Sequence, residues 1–264
     1  MELNDSICVV TGAGSGIGEA LAKELVSVGA AHVVVADIDE VNAARVAAEI
    51  GEAASAVALD VADEAAIRRL VAETETTHGR VDVFVSNAGY GVKGGLDLPI
   101  AEWTQMMDVH AWSHLYAAQA VVPGMVERGS GYILNTASAA GLLTQMDSGP
   151  YAVSKHAAVA FAEWLSIRYG DRGIGVSVLC PQAVRTNILG TRLAAGTASG
   201  ARQAGQDGVL EPEQVARDCI DAMREGRFLV LPHPEVETYF QRKANDYDRW
   251  LGGMRRFRRR LMAG

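Results

Sequence analysis

Seven short apolar runs, separated by longer stretches with helical periodicity, constrain the fold of this chain more than any other feature. The runs are nearly continuous in β-branched and other apolar residues, which is typical of strands covered on both faces. They occupy residues 7–10, 33–36, 56–59, 81–85, 132–135, 176–179 and 228–231, and the helical patterns occupy 18–28, 41–50, 63–78, 100–128, 151–169 and 212–225. This order predicts an α/β fold, a three-layer doubly wound arrangement around a seven-stranded parallel sheet.

Length and composition predict one folded unit. The chain has 264 residues, of which 49% are hydrophobic and 21% charged, close to the composition of globular domains. An α/β unit of this size is common, and neither a composition break nor an internal repeat divides the sequence. We therefore expect a single domain over residues 1–264.

Charge, cysteine usage and hydropathy argue against several classes of protein. A formal net charge of −8 repels nucleic-acid phosphates. Cys8, Cys180 and Cys219 are widely spaced in apolar runs, so they match neither a disulfide framework nor metal-ligand spacing. Residues 1–6 lack the parts of a signal peptide, and no run approaches the roughly 18 apolar residues of a membrane span. We expect a cytoplasmic protein with buried free thiols, no metal and no nucleic-acid partner.

Two segments depart from the alternation. Residues 186–211 are rich in Gly, Ala, Thr and Gln without a strand pattern, and such a stretch is either disordered or a lid; its place in the chain favours a substrate lid. Residues 234–264 predict an amphipathic basic helix. Its apolar face carries Trp250, Met254, Phe257 and Leu261, and its other faces carry Arg255, Arg256, Arg258, Arg259 and Arg260.

The basic helix has two interpretations. It could bind a membrane surface or a nucleic acid, or it could pack on the body of the protein or on a partner subunit. We favour packing, and we expect no stable membrane anchor, because such anchoring generally needs two signals.

A glycine-rich turn follows the first predicted strand and leads directly into a helix. Residues 11–18 read TGAGSGIG. Glycines in this context let the backbone turn tightly and approach a pyrophosphate at the positive end of the helix. The turn therefore predicts a dinucleotide site, with contacts from Gly12, Ser15, Gly16, Ile17 and Gly18.

An acidic residue at the end of the second predicted strand indicates which dinucleotide is bound. Asp37 lies 19 residues beyond Gly18, where a carboxylate can accept hydrogen bonds from ribose hydroxyls and repel a 2′-phosphate. Asp39 or Glu40 fits better as the cap of the following helix. Because neither Ser15 nor Ile38 is the basic residue that an extra phosphate needs, we expect NAD as the cofactor.

A tyrosine and a lysine open the helical pattern at residues 151–169. Tyr151 and Lys155 are four residues apart, so both lie on one helical face and the ammonium can stand beside the phenol. A free tyrosine has a pKa of about 10, and a nearby cation with the helix dipole would lower that pKa toward neutrality. Tyr151 is therefore the candidate acid/base. Ser138 precedes it by 13 residues.

These motifs, in this order and spacing, resemble the short-chain dehydrogenase/reductase family over residues 6 to about 232. The resemblance implies a Rossmann fold that transfers a hydride between NAD(H) and a secondary alcohol or ketone. It implies that Ser138 hydrogen-bonds the substrate oxygen and that Lys155 also binds the nicotinamide ribose. Further cofactor contacts are implied for Asp60, Val61, Asn87, Ala88, Gly89, Val184 and Thr186. The long helices at 100–128 and 151–169 resemble those that form homodimers or homotetramers.

Three positions depart from the family pattern. His110 stands where the family usually has an Asn that holds a water linking the lysine to solvent, Gln182 replaces a Gly, and Ser86 replaces an Asn. A histidine can titrate, so His110 either joins the proton relay or is an ordinary hydrogen-bonded core residue. Asp60 likewise either contacts the adenine or only caps the next helix.

Two other functions are compatible with these patterns. The chain could be a regulator that senses nucleotides without turnover, because a fold alone does not prove a reaction. It could also be an NADP-dependent carbonyl reductase. The intact set of Ser138, Tyr151 and Lys155 favours an enzyme that acts on CH–OH groups over a sensor, and Asp37 favours NAD over NADP.

Overall fold

Seven parallel strands form the centre of the molecule. The computed structural model describes residues 1–186, 203 and 205–263. Its strands are β1 (Ile7–Thr11), β2 (His32–Asp37), β3 (Ala54–Ala58), β4 (Val83–Ser86), β5 (Gly131–Thr136), β6 (Ile174–Leu179) and β7 (Leu229–Val230). They pair in the order β3-β2-β1-β4-β5-β6-β7, all parallel. The predicted α/β fold with a seven-stranded parallel sheet is confirmed.

Helices cover both faces of this sheet. They are α1 (Gly16–Ser27), α2 (Glu40–Ile50), α3 (Glu64–His78), α4 (Ile100–Met107), α5 (Ser113–Arg128), α6 (Ala140–Leu143), α7 (Gly149–Tyr169), α8 (Pro212–Glu225), α9 (Glu235–Asn245) and α10 (Tyr247–Ala263). One core lies between the sheet and α3, α5 and α7, and the other between the sheet and α1, α2 and α8. Side chains that alternate along the inner strands fill the two cores, so these strands are predominantly apolar, whereas the edge strand β3 is only partly buried.

The strand order places a binding crevice between β1 and β4. Chain progression reverses there, since β2 and β3 lie on one side of β1 and the later strands on the other. In open α/β sheets, ligands bind outside the carboxyl ends of the strands at such a switch point. The glycine turn, the loop after β4 and the loop after β5 all start at this edge.

The helix predicted at 100–128 contains a π-helical turn, Asp108–Trp112, between α4 and α5. Inside this turn His110 is fully buried. A π turn adds one residue without interrupting the helix, so the hydrophobic pattern that predicted one helix could not indicate it. The prediction was right about helical structure and wrong about its regularity.

The segment predicted as one helix at 234–264 forms two, α9 and α10. Asp246 separates them with an extended backbone (φ −155°, ψ 91°), and its Oδ1 accepts the Arg249 N–H at 2.9 Å, which caps the start of α10. Of the predicted lid at 186–211, residues 187–202 and 204 lie outside the described residues. Cys8, Cys180 and Cys219 are buried free thiols, as expected. Within the described residues, no helix has the length and apolar character needed to cross a membrane.

Candidate active site

A cavity of about 1260 Å³ lies at the carboxyl edge of the sheet. Ligand sites for one drug-sized molecule are about 300–1,000 Å³, so this volume exceeds the need of a single small ligand and suits a cofactor with a substrate. The loops after strands β1 to β6 line it, and α9 and α10 close one side.

The glycine turn forms one end of this cavity and fits a dinucleotide. Gly12 and Gly16 adopt positive φ angles of 63° and 57°, which disfavour any residue with a side chain. A Cβ on Gly18 would lie 2.1 Å from the Gly12 carbonyl oxygen, so α1 packs directly against the turn. Ser15 caps α1 without a side-chain hydrogen bond, which leaves the helix N-terminus open toward an anion. These features match the needs of a pyrophosphate.

Asp37 is held at the mouth of this cradle. Its Oδ2 accepts the Gly14 N–H at 2.8 Å, and its Oδ1 accepts the Asp39 N–H at 2.9 Å. The predicted capping role of Asp39 is borne out, because its side chain accepts the Asn42 N–H at the start of α2. The guanidinium of Arg45 donates to the Gly14 carbonyl, but Glu19 and Glu49 already pair with it.

The other adenosine-side residues line the same end. Asp60 and Val61 face the cavity, and the cap of α3 is Asp63, not Asp60. Thr11 Oγ1 accepts the backbone N–H groups of Asn87 and Ala88 at 3.0 and 3.2 Å. Asn87 also donates to the Thr11 carbonyl and accepts from Thr136 Oγ1, so this side chain joins β1, β4 and β5.

Ser138, Tyr151 and Lys155 converge at the opposite end of the cavity. Ser148 Oγ accepts the Tyr151 N–H and caps α7, so Tyr151 lies in the first turn of that helix. Lys155 Nζ lies 5.8 Å from the centre of the Tyr151 ring and donates to the Thr136 carbonyl at 2.9 Å. Ser138, just beyond β5, accepts the Ala140 N–H through its Oγ at 3.1 Å. The predicted grouping of serine, tyrosine and lysine is therefore present in space.

Burial dominates the electrostatics of these groups. It raises the pKa of the Tyr151 hydroxyl, and the hydrogen bond with Ser138 offsets part of the rise. It lowers the pKa of Lys155 to about 7. The expected lowering of the Tyr151 pKa is thus wrong for the protein by itself, because the same burial that removes the phenol from water also disfavours the ammonium that was to stabilise the phenolate.

His110 lies beside this group. Its Nε2 accepts the Tyr90 N–H at 3.1 Å, its Nδ1 lies 3.0 Å from Ser154 Oγ, and its ring meets the Tyr151 ring edge-on at 5.5 Å. Burial, and then the charge of Lys155, lower the pKa of His110 well below 6.5. His110 is therefore a hydrogen-bonded core histidine that lies beside the catalytic candidates.

Comparison with known proteins gives the family. The model for the short chain dehydrogenases matches residues 6–195. The chain belongs to the short-chain dehydrogenase family. That match covers the glycine turn, the strands up to β6 and the Ser138, Tyr151 and Lys155 positions.

Three relatives illustrate where this short-chain dehydrogenase stands. It is 34% identical over 253 residues to 1-deoxy-11-beta-hydroxypentalenate dehydrogenase from Streptomyces exfoliatus, which covers 93% of this chain and 90% of the relative. It is 40% identical over 195 residues to 2,5-dichloro-2,5-cyclohexadiene-1,4-diol dehydrogenase from Sphingobium indicum, covering 71% and 76%. A short-chain dehydrogenase/reductase from Burkholderia phymatum, solved in complex with NAD, superposes with a TM-score of 0.85 at 30% identity, covering 94% and 96%.

Nearly all sequence-predicted site residues of this short-chain dehydrogenase line the one cavity. Gly18 is the exception, since it packs on the Gly12 carbonyl. Val184 and Thr186 line it beside the glycine turn, where Thr186 Cγ2 would lie 2.9 Å from a Cβ on Gly16.

Sequence reasoning missed two features of the dehydrogenase. Four arginines of α9 and α10 line the cavity: Arg242, Arg249, Arg256 and Arg260. The spacing of Arg249, Arg256 and Arg260, seven and four residues, could have placed them on one helical face. A buried histidine of α5, His114, was also missed, and both of its ring nitrogens lack a hydrogen-bond partner in the described part of the chain.

Proposed function

We propose that this protein is an NAD-dependent dehydrogenase or reductase that transfers a hydride between a nicotinamide and a secondary alcohol or ketone, with Tyr151 as the acid/base. The observation that carries the proposal is the convergence of Ser138, Tyr151 and Lys155 in the cavity that also contains the dinucleotide cradle. A cradle alone would equally suit a nucleotide sensor, whereas this side-chain group is suited to moving a proton.

The proposed chemistry divides between a hydride and a proton. The bound nicotinamide supplies the acceptor or donor of the hydride. In alcohol oxidation Tyr151 takes the hydroxyl proton while the carbinol carbon loses its hydride, so the products are a ketone and reduced cofactor. In ketone reduction Tyr151 gives that proton to the carbonyl oxygen. Ser138 holds the reacting oxygen beside the tyrosine.

Lys155 contributes position and charge. One of its three N–H groups donates to the Thr136 carbonyl, and the others can reach ribose hydroxyls. With a pKa of about 7, Lys155 exchanges its proton readily near neutrality. His110 we propose as a positioning residue that holds the Tyr90 backbone and Ser154 on either side of the tyrosine.

NAD is the proposed cofactor because Asp37 fixes a negative charge at the adenosine ribose position. A 2′-phosphate there would meet a carboxylate, and Arg45, whose guanidinium donates to the Gly14 carbonyl, is already paired with Glu19 and Glu49. The solved relative from Burkholderia phymatum contains NAD, which supports the same choice. An NADP-dependent carbonyl reductase is the alternative.

The class of substrate is proposed from the cavity and the relatives. The names of two relatives denote a hydroxy acid and a cyclic diol, both alcohols on carbon skeletons. Apolar residues that line the cavity, such as Val92, Leu143 and Trp250, suit such a skeleton.

A homodimer or homotetramer is the proposed assembly. Val153, Trp164 and Ile167 lie exposed along α7, where they form an apolar face available to a second copy.

The direct test is a panel of secondary alcohols and ketones with NAD, NADH, NADP and NADPH, followed by the absorbance of the reduced nicotinamide. We expect turnover of at least one alcohol–ketone pair with the NAD couple preferred. NADH binding, seen as a change in its fluorescence, with no turnover across the panel would favour the sensor instead. Higher kcat/KM with NADPH would favour the alternative reductase.

A further inference from the structure

Four arginines line one end of the cavity. Arg242 belongs to α9, and Arg249, Arg256 and Arg260 belong to α10. None forms an ion pair with a carboxylate within the part of the chain that the structure describes. The Arg260 guanidinium lies 5.7 Å from the Phe257 ring, and that of Arg242 lies 6.0 Å from the Tyr239 ring. Aromatic contacts of this kind leave the guanidinium N–H groups available to a ligand.

Helical geometry puts these cations beside an apolar strip. Arg249, Arg256 and Arg260 are seven and four residues apart, so they share one face of α10. Trp250, Met254 and Phe257 lie on the adjoining face and also line the cavity. Arg255, Arg258 and Arg259 are exposed, as Arg249, Arg256 and Arg260 are, but they do not line the cavity. A ligand along this helix would thus meet an apolar surface and a positive edge together.

The positive edge formed by the α10 arginines lies at the end of the cavity that contains Ser138. Lys243 of α9 donates to the Leu142 carbonyl at 2.5 Å, and Leu142 lies in α6, the helix that follows Ser138. Tyr239 donates to Asp207, which in turn accepts from Gln182, the residue after Pro181. Helix α9 is therefore attached to the segments around the reacting group, and Trp250 of α10 packs against the core cluster that contains Leu142 and Leu143.

The charges at this end are unbalanced. Among the described lining residues the carboxylates are Asp37, Asp60 and Asp246. Asp37 is beside the glycine turn, and Asp246, which accepts the backbone N–H of Arg249, offsets only one of the four arginine charges. The protein as a whole carries a net charge of −8, so a local excess of arginine contrasts with the rest of the molecule. Such a cleft concentrates anions from solution.

We propose that Arg249, Arg256 and Arg260 bind a carboxylate on the substrate, while Trp250, Met254 and Phe257 pack against its apolar skeleton. The substrate class is then a secondary alcohol, or its ketone, whose carboxylate is separated from the carbinol carbon by an apolar body. A guanidinium can donate two parallel hydrogen bonds to the two oxygens of a carboxylate. A methyl ester is neutral and cannot accept this charged pair of hydrogen bonds equally well. The assignment of the carbinol rests on the proposed function, whereas binding of the anion does not.

The test compares acids with their methyl esters. The probes are hydroxyalkanoates with the hydroxyl on the penultimate carbon, from hexanoate to dodecanoate, with the matching methyl esters and neutral alkan-2-ols. One variant carries Arg249→Gln, Arg256→Gln and Arg260→Gln, and its control carries Arg255→Gln, Arg258→Gln and Arg259→Gln. Each variant removes three positive charges from α10. Thermal unfolding shows whether each triple variant is folded. If one is not, the three substitutions are tested one at a time instead.

We expect the acid-to-ester ratio of kcat/KM to exceed one for the acids that span the cavity. The ratio should fall at least about tenfold, or about 1.4 kcal/mol, in the cavity-lining triple and should stay unchanged in the control. Calorimetric binding of dodecanoate, which needs no turnover, should weaken in the same variant only.

The outcomes separate this inference from the proposed function. Oxidation of alkan-2-ols with equal acid-to-ester ratios in the wild type and both triples would overturn the carboxylate site and leave the dehydrogenase standing. Arginine-dependent dodecanoate binding without oxidation of any probe would support the site and count against the reaction. If both triple variants weaken dodecanoate binding equally, the effect reflects the total positive charge of α10 and not these three arginines, and the inference is overturned.

Discussion

The backbone N–H of Tyr90 donates to Nε2 of His110 at 3.1 Å, so that nitrogen carries a lone pair and no proton. The proton of the neutral ring then resides on Nδ1, which faces Ser154 Oγ at 3.0 Å. Protonating Nε2 would place two N–H groups against each other in a fully buried site. The hydrogen-bond geometry and the burial thus act in the same direction, toward a neutral histidine.

His110→Asn should therefore leave the acid limb of the kcat pH profile in place. A neutral His110 has no titration to lose above pH 6.5, since burial first and Lys155 second lower its pKa well below that value. The asparagine carbonyl can still accept the Tyr90 N–H. His110→Leu removes the acceptor altogether and should cost about 1 to 3 kcal/mol in unfolding free energy. An acid limb that moves in the asparagine variant would show that the histidine does take part in proton movement.

Lys155→Met should stabilise the cofactor-free protein while abolishing turnover. Burial lowers the pKa of Lys155 to about 7, whereas an unfolded lysine titrates near about 10.4. Between these values the unfolded chain binds more protons, so native stability rises with pH across the window. Removing the buried ammonium should therefore raise the unfolding free energy by an amount on the order of 1 kcal/mol for each unit of this pKa difference. Urea unfolding at several pH values should give the unfolding free energy of the variant and of the wild type. The excess of the variant should be largest at and below pH 7 and should shrink toward pH 10. An excess that does not change with pH would contradict this prediction.

Tyr151→Phe should keep the fold and the cofactor site and lose the reaction. The substitution removes only the hydroxyl, and general acid/base groups contribute about 10² to 10⁴ in rate. We expect a loss toward the upper end of that range, with NADH binding intact by fluorescence. Tyr169→Phe, at the other end of α7, is the matched control and should have normal kcat. Half of wild-type activity in the Tyr151 variant would remove this residue from the proposed mechanism.

Asp37→Ala should narrow the preference for NAD over NADP at least about tenfold, because a charged hydrogen bond of roughly 1.5 to 3 kcal/mol to the ribose is lost together with the repulsion of a phosphate. The measurement is kcat/KM with each cofactor. Asp39→Ala is the control, since it removes the cap of α2 at a cost of about 0.5 to 2 kcal/mol in stability without lining the cavity. An unaltered cofactor ratio in the Asp37 variant would refute the assigned role.

Ile167→Arg should dissociate the proposed oligomer. Ile167 is 84% exposed on α7, and Val41 on α2 is similarly exposed at 79%, so Val41→Arg is the matched control. Light scattering at micromolar concentration should give a dimer or tetramer for the wild type and the control, and a smaller species for the α7 variant. A monomeric wild type would rule out this assembly.

Patterns that depend on local chemistry were predictable from the sequence. Strands that need apolar residues on both faces produce continuous apolar runs, and the turn that Gly12 and Gly16 form needs residues free of a side chain. The positions of Tyr151 and Lys155 followed from helical spacing. Properties set by tertiary burial were not predictable: the raised pKa of Tyr151, and the cavity-facing position of Arg256, depend on neighbours distant in sequence. The apolar and basic residues that predicted the last helix all lie after Asp246, so their pattern could not indicate the break at that residue.

The π turn at Asp108–Trp112 has a consequence for how the length of this chain can vary. A single residue removed from an α-helix rotates everything after it by about 100°, since the helix has 3.6 residues per turn. The wider π turn holds one residue more than a regular helical turn. This extra residue sets the rotation of α5 relative to α4, so that each helix presents its buried face to its own neighbours. Shortening the turn to a regular helix would move either His110 away from Tyr90 or the buried face of α5 away from the sheet. In this long helical stretch the residue count is therefore as tightly constrained as the residue types.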